Sequence, residues 1–127
     1  MVKAVFLDRD GTINQLVKGR KDPKHVGPWT MKEFKYINGV ADAIRHIKHL
    51  GYTTHVVTNQ PDVNDGLMTE KTLNKMHEKL KKDLNVDTIQ AARIRNTPEY
   101  KPNCGMLSNI IKEWSVTKER SWMIGDS

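Results

Sequence analysis

The alternation of two kinds of apolar pattern along the chain restricts its fold more than any other feature of the sequence. Short runs of apolar and β-branched residues predict strands at 2–7, 52–58, 88–94 and 121–124. Segments with helical spacing of apolar residues lie between them, and a turn is predicted at 61–66. Because strands that alternate with helices pair in parallel through crossover connections, this order predicts an α/β fold with a mostly parallel sheet covered on both faces.

The predicted helices are amphipathic, and a long polar segment precedes the first of them. Apolar residues recur at helical spacing in 40–50, 73–84 and 106–114. Thr69 is placed to act as the N-cap of the second helix. The polar segment 14–35 contains two Gly and two Pro, which predicts a loop or a short hairpin rather than a long helix.

The composition is that of a soluble protein. The 127 residues are 37% hydrophobic and 28% charged, which predicts one domain, 1–127. No apolar run is long enough to cross a membrane, and an acidic residue follows too soon after Met1 for a secretory signal. The single cysteine, Cys104, excludes an internal disulfide. We expect a monomeric cytoplasmic protein, and the net charge of +6 favours anionic partners such as phosphates or nucleic acid.

Two carboxylates, Asp8 and Asp10, follow the first predicted strand directly. Like charges so close together need a compensating cation, and Mg²⁺ is a natural one because it prefers oxygen ligands. Gly11 allows a tight turn whose amide groups can face an anion. A solvated acidic turn is the alternative. A calcium loop is excluded because Ile13 and Gly19 stand where that loop needs Gly and Glu.

Polar residues also follow the other predicted strands. The second strand ends in Thr58-Asn59-Gln60, Lys101 lies in a loop with prolines, and the fourth strand ends in Gly125-Asp126. Each of these is common in ordinary turns and solvated loops. In parallel sheets, however, ligands bind at the carboxyl ends of the strands, so these groups are expected at one edge of the sheet.

Taken together, these residues resemble the haloacid dehalogenase superfamily of phosphotransferases. The segment Asp8-Arg9-Asp10-Gly11-Thr12 matches its first motif, Thr58 the second, Lys101 the third, and Gly125-Asp126 the start of the fourth. Further segments resemble the branch that holds D,D-heptose 1,7-bisphosphate phosphatase and histidinol-phosphate phosphatase, among them Val56-Val57-Thr58-Asn59-Gln60. The resemblance implies a Rossmann-like three-layer sandwich without a large cap domain.

The resemblance also implies a catalytic mechanism. Asp8 would attack phosphorus and form an aspartyl-phosphate, and Asp10 would protonate the leaving alcohol and then activate water. Mg²⁺ would be bound by Asp8, the backbone carbonyl of Asp10 and Asp126.

The phosphate-binding residues follow in the same way. Thr58 and Lys101 would bind phosphoryl oxygens, with help from the backbone amides of Arg9 and Asp10. Asn59 would face the substrate.

The sequence departs from the pattern of this branch at several places. Residues 91–100 contain no Cys or His, so the zinc loop of the branch is missing and we expect no zinc. Tyr100 and Asp65 stand where the branch has arginines, and Pro61-Asp62 replaces its turn of a small residue and Gly after the second motif. These positions contact substrate in the branch. The chain ends at Ser127, before the further acid of the fourth motif, so we expect a fold truncated after that motif, either a compact enzyme or a fragment.

Three functions remain open at this stage. The first is a Mg²⁺-dependent phosphatase for a small phosphorylated sugar or polyol, similar to heptose bisphosphate or histidinol phosphate. The second has the same chemistry on nucleic-acid 3′ ends and is suggested by the positive charge. The third is a catalytically impaired domain that binds a phosphorylated ligand or a partner without turnover, and is suggested by the expected truncation.

Overall fold

The computed structural model describes residues 2–20 and 25–125. Its four strands are β1 Ala4–Leu7, β2 Thr53–Asn59, β3 Thr88–Ala92 and β4 Trp122–Ile124. Its helices are α1 Val40–His49, α2 Pro61–Asn64, α3 Glu70–Leu84 and α4 Gly105–Trp114, followed by a 3₁₀ turn at Lys118–Arg120. The strands form one parallel sheet in the order β3-β2-β1-β4, which confirms the predicted fold class.

The two central strands carry apolar side chains to both faces of the sheet. Every residue of β1 is buried, and side chains alternate between two cores because successive strand residues point in opposite directions. Val5 and Leu7 join the core under α1 and α3, whereas Ala4 and Phe6 join the core under α4. The result is the predicted arrangement of a sheet between two helical layers.

Local sequence determines where the longest helix begins and ends. The Thr69 hydroxyl accepts a hydrogen bond of 3.1 Å from the backbone N–H of Thr72, which satisfies one of the free donors of the first turn of α3. Asn85 ends the helix with a positive φ of 52°, a conformation that Asn tolerates better than most residues. The prediction of Thr69 as an N-cap is therefore confirmed.

The structure corrects the prediction of a simple turn at 61–66. Residues Pro61–Asn64 form a single helical turn, α2. Proline suits the first position of a helix because its φ is fixed near the helical value and its missing N–H would have no partner there. A four-residue element is too short to show an apolar period in the sequence.

The described parts of segment 14–35 form a loop near the carboxyl ends of β1 and β2. Backbone hydrogen bonds from Val17 to Val26 and from Gln15 to Lys35, 2.7 and 2.8 Å long, hold the loop together.

Strand β4 lies at an edge of the sheet and its three side chains are exposed. Within 2–20 and 25–125, no helix is both long and apolar enough to cross a membrane.

We predict that Leu73→Ala lowers the free energy of unfolding by about 2–5 kcal/mol, because the fully buried Leu73 lies in the core beneath α3. Urea denaturation followed by circular dichroism measures this change. The control is Ile94→Ala, at a position that is 55% exposed, which should change stability by less than about 0.5 kcal/mol. Equal effects of the two substitutions would contradict the described core.

Candidate active site

The carboxyl ends of β1 and β2 open into a cleft of about 720 Å³. This volume is in the range of small-molecule sites. The sequence-predicted residues that line the cleft are Asp8, Asp10, Thr58, Asn59 and Lys101. Asp126, predicted as a metal ligand, lies outside the described residues, although its neighbour Gly125 lines the cleft.

Asp8 follows β1 and forms an ion pair with Lys101, which is 93 positions away in the sequence. The Lys101 Nζ donates to Asp8 Oδ1 at 2.7 Å and to the Val57 carbonyl at 3.0 Å. The backbone N–H of Arg9 donates to the same Asp8 oxygen at 2.8 Å. The other oxygen, Oδ2, accepts no hydrogen bond from the described residues and faces Gly125, so this oxygen is available to a ligand.

Gly125 is a close neighbour of this carboxylate. A Cβ added to Gly125 would lie 3.3 Å from the Cβ of Asp8 and 3.7 Å from its Oδ2. A side chain at this position would therefore crowd the open oxygen of Asp8.

Asn59 binds the backbone of Lys101 with both ends of its amide. Its Oδ1 accepts from the Lys101 N–H at 2.8 Å, and its Nδ2 donates to the Lys101 carbonyl at 3.0 Å. Asn59 lines the cleft, but these bonds occupy its amide, so in the described state it positions Lys101. The resemblance alone had placed its amide toward a substrate.

Asp10 is enclosed by polar contacts on both of its carboxylate oxygens. Oδ1 accepts hydrogen bonds from Arg9 Nε at 2.9 Å and from Asn14 Nδ2 at 3.0 Å. Oδ2 accepts one from Gln60 Nε2 at 3.2 Å. A Cβ at Gly27 would lie only 2.7 Å from Oδ2, so the loop can approach Asp10 this closely only because that residue is glycine.

Gln60 connects Asp10 to the predicted phosphate-binding hydroxyl of Thr58. Its Nε2 donates to Thr58 Oγ1 at 2.9 Å as well as to Asp10, and both Gln60 and Thr58 are buried. The sequence places Gln60 at a strand end, where its amide could orient a substrate, but Gln60 is not among the predicted site residues. Its position directly after Thr58-Asn59 was the available signal.

Arg9 directs its side chain away from the cleft. The guanidinium is fully buried, lies 5.5 Å from the centre of the Phe34 ring, and has Nη1 3.2 Å from His77 Nε2. Nη2 lies 2.8 Å from Asp10 Oδ1 but is not aligned as a hydrogen bond. The resemblance implies that the backbone N–H of Arg9 donates a hydrogen bond to the phosphate. In the structure this N–H donates to Asp8, a residue that lines the cleft.

His77 on α3 is the group behind Arg9. Burial and, to a lesser extent, the positive charges of Arg9 and Arg93 lower the pKa of His77 to about 3. A neutral imidazole can accept the Arg9 N–H at Nε2, whereas an imidazolium cannot. Sequence reasoning missed His77 because a lone His on a helix matches no motif.

We predict that His77 makes folding sensitive to mild acid. Its pKa of about 3 in the folded protein lies below the 6.5 of an exposed His, so between these values the unfolded chain binds the extra proton. Stability should therefore fall as the pH is lowered from about 6.5, by no more than about 1.4 kcal/mol per pH unit from this residue.

The test compares urea denaturation of the wild type and His77→Gln between pH 7 and pH 4, since Gln offers Arg9 an acceptor that does not titrate in this range. The slope of stability against pH should become shallower in the variant. The control is His46→Gln, because His46 is exposed on α1. An unchanged slope for His77→Gln would refute the assignment.

Two oxygen atoms at the end of β1 are suitable ligands for a hard cation such as Mg²⁺. Asp8 Oδ2 accepts no hydrogen bond from the described residues, and neither does the backbone carbonyl of Asp10. Both are oxygens, the ligand type that Mg²⁺ prefers. These oxygens lie near the ammonium of Lys101, which is held in place. A bound cation and this ammonium would together give the site the positive charge that a phosphate group needs.

Comparisons with known proteins show the family to which the chain belongs. The sequence model of the family described as Polynucleotide kinase 3 phosphatase matches residues 3–127. The chain is 31% identical to the D-glycero-beta-D-manno-heptose-1,7-bisphosphate 7-phosphatase of Rhodopseudomonas palustris, over 98% of this chain and 73% of that protein. It is 34% identical to the protein of the same name from Haemophilus influenzae, over 99% of this chain and 72% of that protein.

A similar solved structure is the D,D-heptose 1,7-bisphosphate phosphatase of B. bronchiseptica, crystallised with magnesium and phosphate. The two share 28% identity and a TM-score of 0.83, over 99% of this chain and 71% of the other. This likeness, like that to the curated relatives, is to proteins that are named phosphatases. The chain belongs to the family described as Polynucleotide kinase 3 phosphatase, within the haloacid dehalogenase superfamily, and is a phosphatase.

Proposed function

We propose that the protein is a Mg²⁺-dependent phosphomonoesterase that acts through an aspartyl-phosphate on a small phosphorylated sugar or polyol. The observation that carries this proposal is the state of Asp8, whose Oδ1 is bound by Lys101 while Oδ2 is open to the cleft. A carboxylate held in this way is already oriented toward a group that binds in the cleft. The names of the curated relatives support the sugar phosphate as substrate.

In the first step, an oxygen of Asp8 forms a bond to phosphorus as the bond from phosphorus to the leaving oxygen breaks. Asp10, in its protonated form, gives its proton to that leaving oxygen, which departs as an alcohol. In the second step, Asp10 takes a proton from water as the water oxygen attacks phosphorus. Inorganic phosphate leaves, and the Asp8 carboxylate is restored.

The surrounding residues orient these two carboxyl groups. Arg9, Asn14 and Gln60 fix the side chain of Asp10 through three hydrogen bonds, so that its proton can be delivered in a defined direction. The Lys101 ammonium and the Thr58 hydroxyl are proposed to bind the phosphoryl oxygens. Asn59 keeps Lys101 in place through its backbone.

Asp8, the carbonyl of Asp10 and Asp126 are the proposed Mg²⁺ ligands. The bound cation would neutralise charge between the carboxylate of Asp8 and the phosphate that it attacks. The similar structure from B. bronchiseptica was crystallised with magnesium and phosphate, which supports Mg²⁺ as the cation.

We predict that Asp8→Asn lowers kcat by at least about a thousandfold, because an amide is a far weaker nucleophile than a carboxylate. Release of phosphate from p-nitrophenyl phosphate measures the effect, and EDTA should abolish wild-type activity. The control is Asp42→Asn, which alters an exposed acid on α1 that pairs with Arg45 and should leave kcat unchanged. Hydrolysis retained by Asp8→Asn, with an unchanged thermal unfolding midpoint, would refute the nucleophile assignment.

A second candidate substrate is the 3′-phosphate end of a nucleic acid. Two observations favour it, namely the description of the matching family and the net charge of +6. A panel of heptose phosphates, histidinol phosphate and 3′-phosphorylated oligonucleotides separates the two candidates. We expect the highest kcat/KM for a small metabolite, with little salt dependence. A preference for the oligonucleotide that weakens steeply with added salt would instead establish the second candidate.

A further inference from the structure

Asp62 on α2 places a third carboxylate on the wall of the cleft. Its side chain is only 10% exposed. Oδ2 accepts a hydrogen bond of 2.7 Å from the indole N–H of Trp29, which fixes the orientation of the carboxylate. The resemblance places Asp62 in a turn whose positions contact substrate in the related branch, but the two-step mechanism gives its carboxylate no role.

The second oxygen of Asp62 has no hydrogen-bond donor among the residues that the structure describes. Oδ1 lies 3.7 Å from His25 Nε2, a distance that allows an ion pair but is too long for a hydrogen bond. Asp62 is one of the residues that line the cleft. A carboxylate oxygen that is largely withdrawn from water but open to a cleft gains free energy when a ligand supplies a donor.

Asp65, one helical turn away, differs from Asp62 in this respect. Its two oxygens accept a fork of hydrogen bonds from Arg95, 3.0 and 2.9 Å long, and these bonds lower the pKa of Asp65 to about 2. Asp65, His25 and Asp62 are close enough together to suggest a metal site. However, Arg95 already binds Asp65 and Trp29 already binds Asp62, so these carboxylates do not require a metal.

The charges on the cleft wall restrict what can lie beside Asp62. Among the described lining residues, Lys101 is the only Lys or Arg, and it is bound to Asp8. Tyr100 lines the cleft near Asp62, and burial raises the pKa of its hydroxyl, which keeps that group neutral and able to donate. A second phosphate beside Asp62 would bring like charges together in a partly desolvated space.

We propose that Asp62 is a specificity-determining residue that binds a hydrogen-bond donor, either an ammonium or a hydroxyl group, on the part of the substrate beyond the reacting phosphate. The same carboxylate disfavours a second phosphate at that position. This inference rests on the proposed phosphatase function and narrows its substrate class to monophosphates that carry such a donor near the cleft wall.

The test uses alkyl phosphates of three to five carbons. The carbon farthest from the reacting phosphate bears an ammonium, a hydroxyl, a hydrogen or a second phosphate. For the wild type, kcat/KM should be higher for the ammonium and hydroxyl ends than for the plain alkyl end, and lowest for the bisphosphate. The ammonium and hydroxyl arms show which donor Asp62 prefers. A wild-type preference for the bisphosphate would overturn the proposal without any variant.

Asp62→Asn removes the charge but retains an oxygen that can accept the Trp29 N–H. We expect the ratio of kcat/KM between the ammonium and plain alkyl ends to fall by about tenfold or more, mainly through KM, and the relative rate of the bisphosphate to rise. The control is Glu70→Gln, which alters an exposed acid that pairs with Arg93 outside the described lining of the cleft and should leave these ratios unchanged. Equal losses on every substrate, or unchanged ratios, in Asp62→Asn would overturn the proposal.

Hydrolysis of p-nitrophenyl phosphate by the wild type tests the phosphatase function independently of the role of Asp62. This compound has no donor for Asp62, so its Mg²⁺-dependent hydrolysis reports on the phosphatase chemistry alone. Its absence would overturn the proposed function. Its presence together with unchanged selectivity in Asp62→Asn would overturn only the role of Asp62.

Discussion

Two carboxylates at the end of one buried strand, Asp8 and Asp10, are compatible with a stable fold because each lies against its own cation. Lys101 binds Asp8, and the guanidinium of Arg9 binds Asp10. Without these cations, the two neighbouring carboxylates would repel each other at the end of a buried strand. Because Lys101 precedes α4 and Arg9 packs toward α3, the charges are balanced only when the helices on both faces of the sheet are in place.

The residues around these ion pairs connect the cleft to the core. Arg9 reaches inward to Phe34 and His77, so the position of Asp10 depends on the packing of α3. Asn59 connects the end of β2 to the backbone at Lys101. The site is therefore fixed by elements that also bury apolar surface, and its geometry follows from the register of the sheet rather than from the loops alone.

The sequence predicted the parallel sheet, the main helices and the group of polar strand ends, because these depend on local patterns and on the rule that parallel strands end at one edge. It did not predict the helical turn α2, which is too short to show a period. Nor did it predict the approach of Gly27 to Asp10 or the contact of His77 with Arg9. Both contacts depend on which segments meet after folding, and that information is not contained in spacing along the chain.

The ammonium of Lys101 has three protons, of which two are directed to Asp8 and to the Val57 carbonyl. The long side chain has thus already lost most of its rotational freedom before any ligand arrives. A free surface lysine would lose that entropy on binding an anion, which would weaken the complex. An anion that enters this cleft meets a positive charge that is already immobile, so little of the electrostatic attraction is offset by ordering the protein.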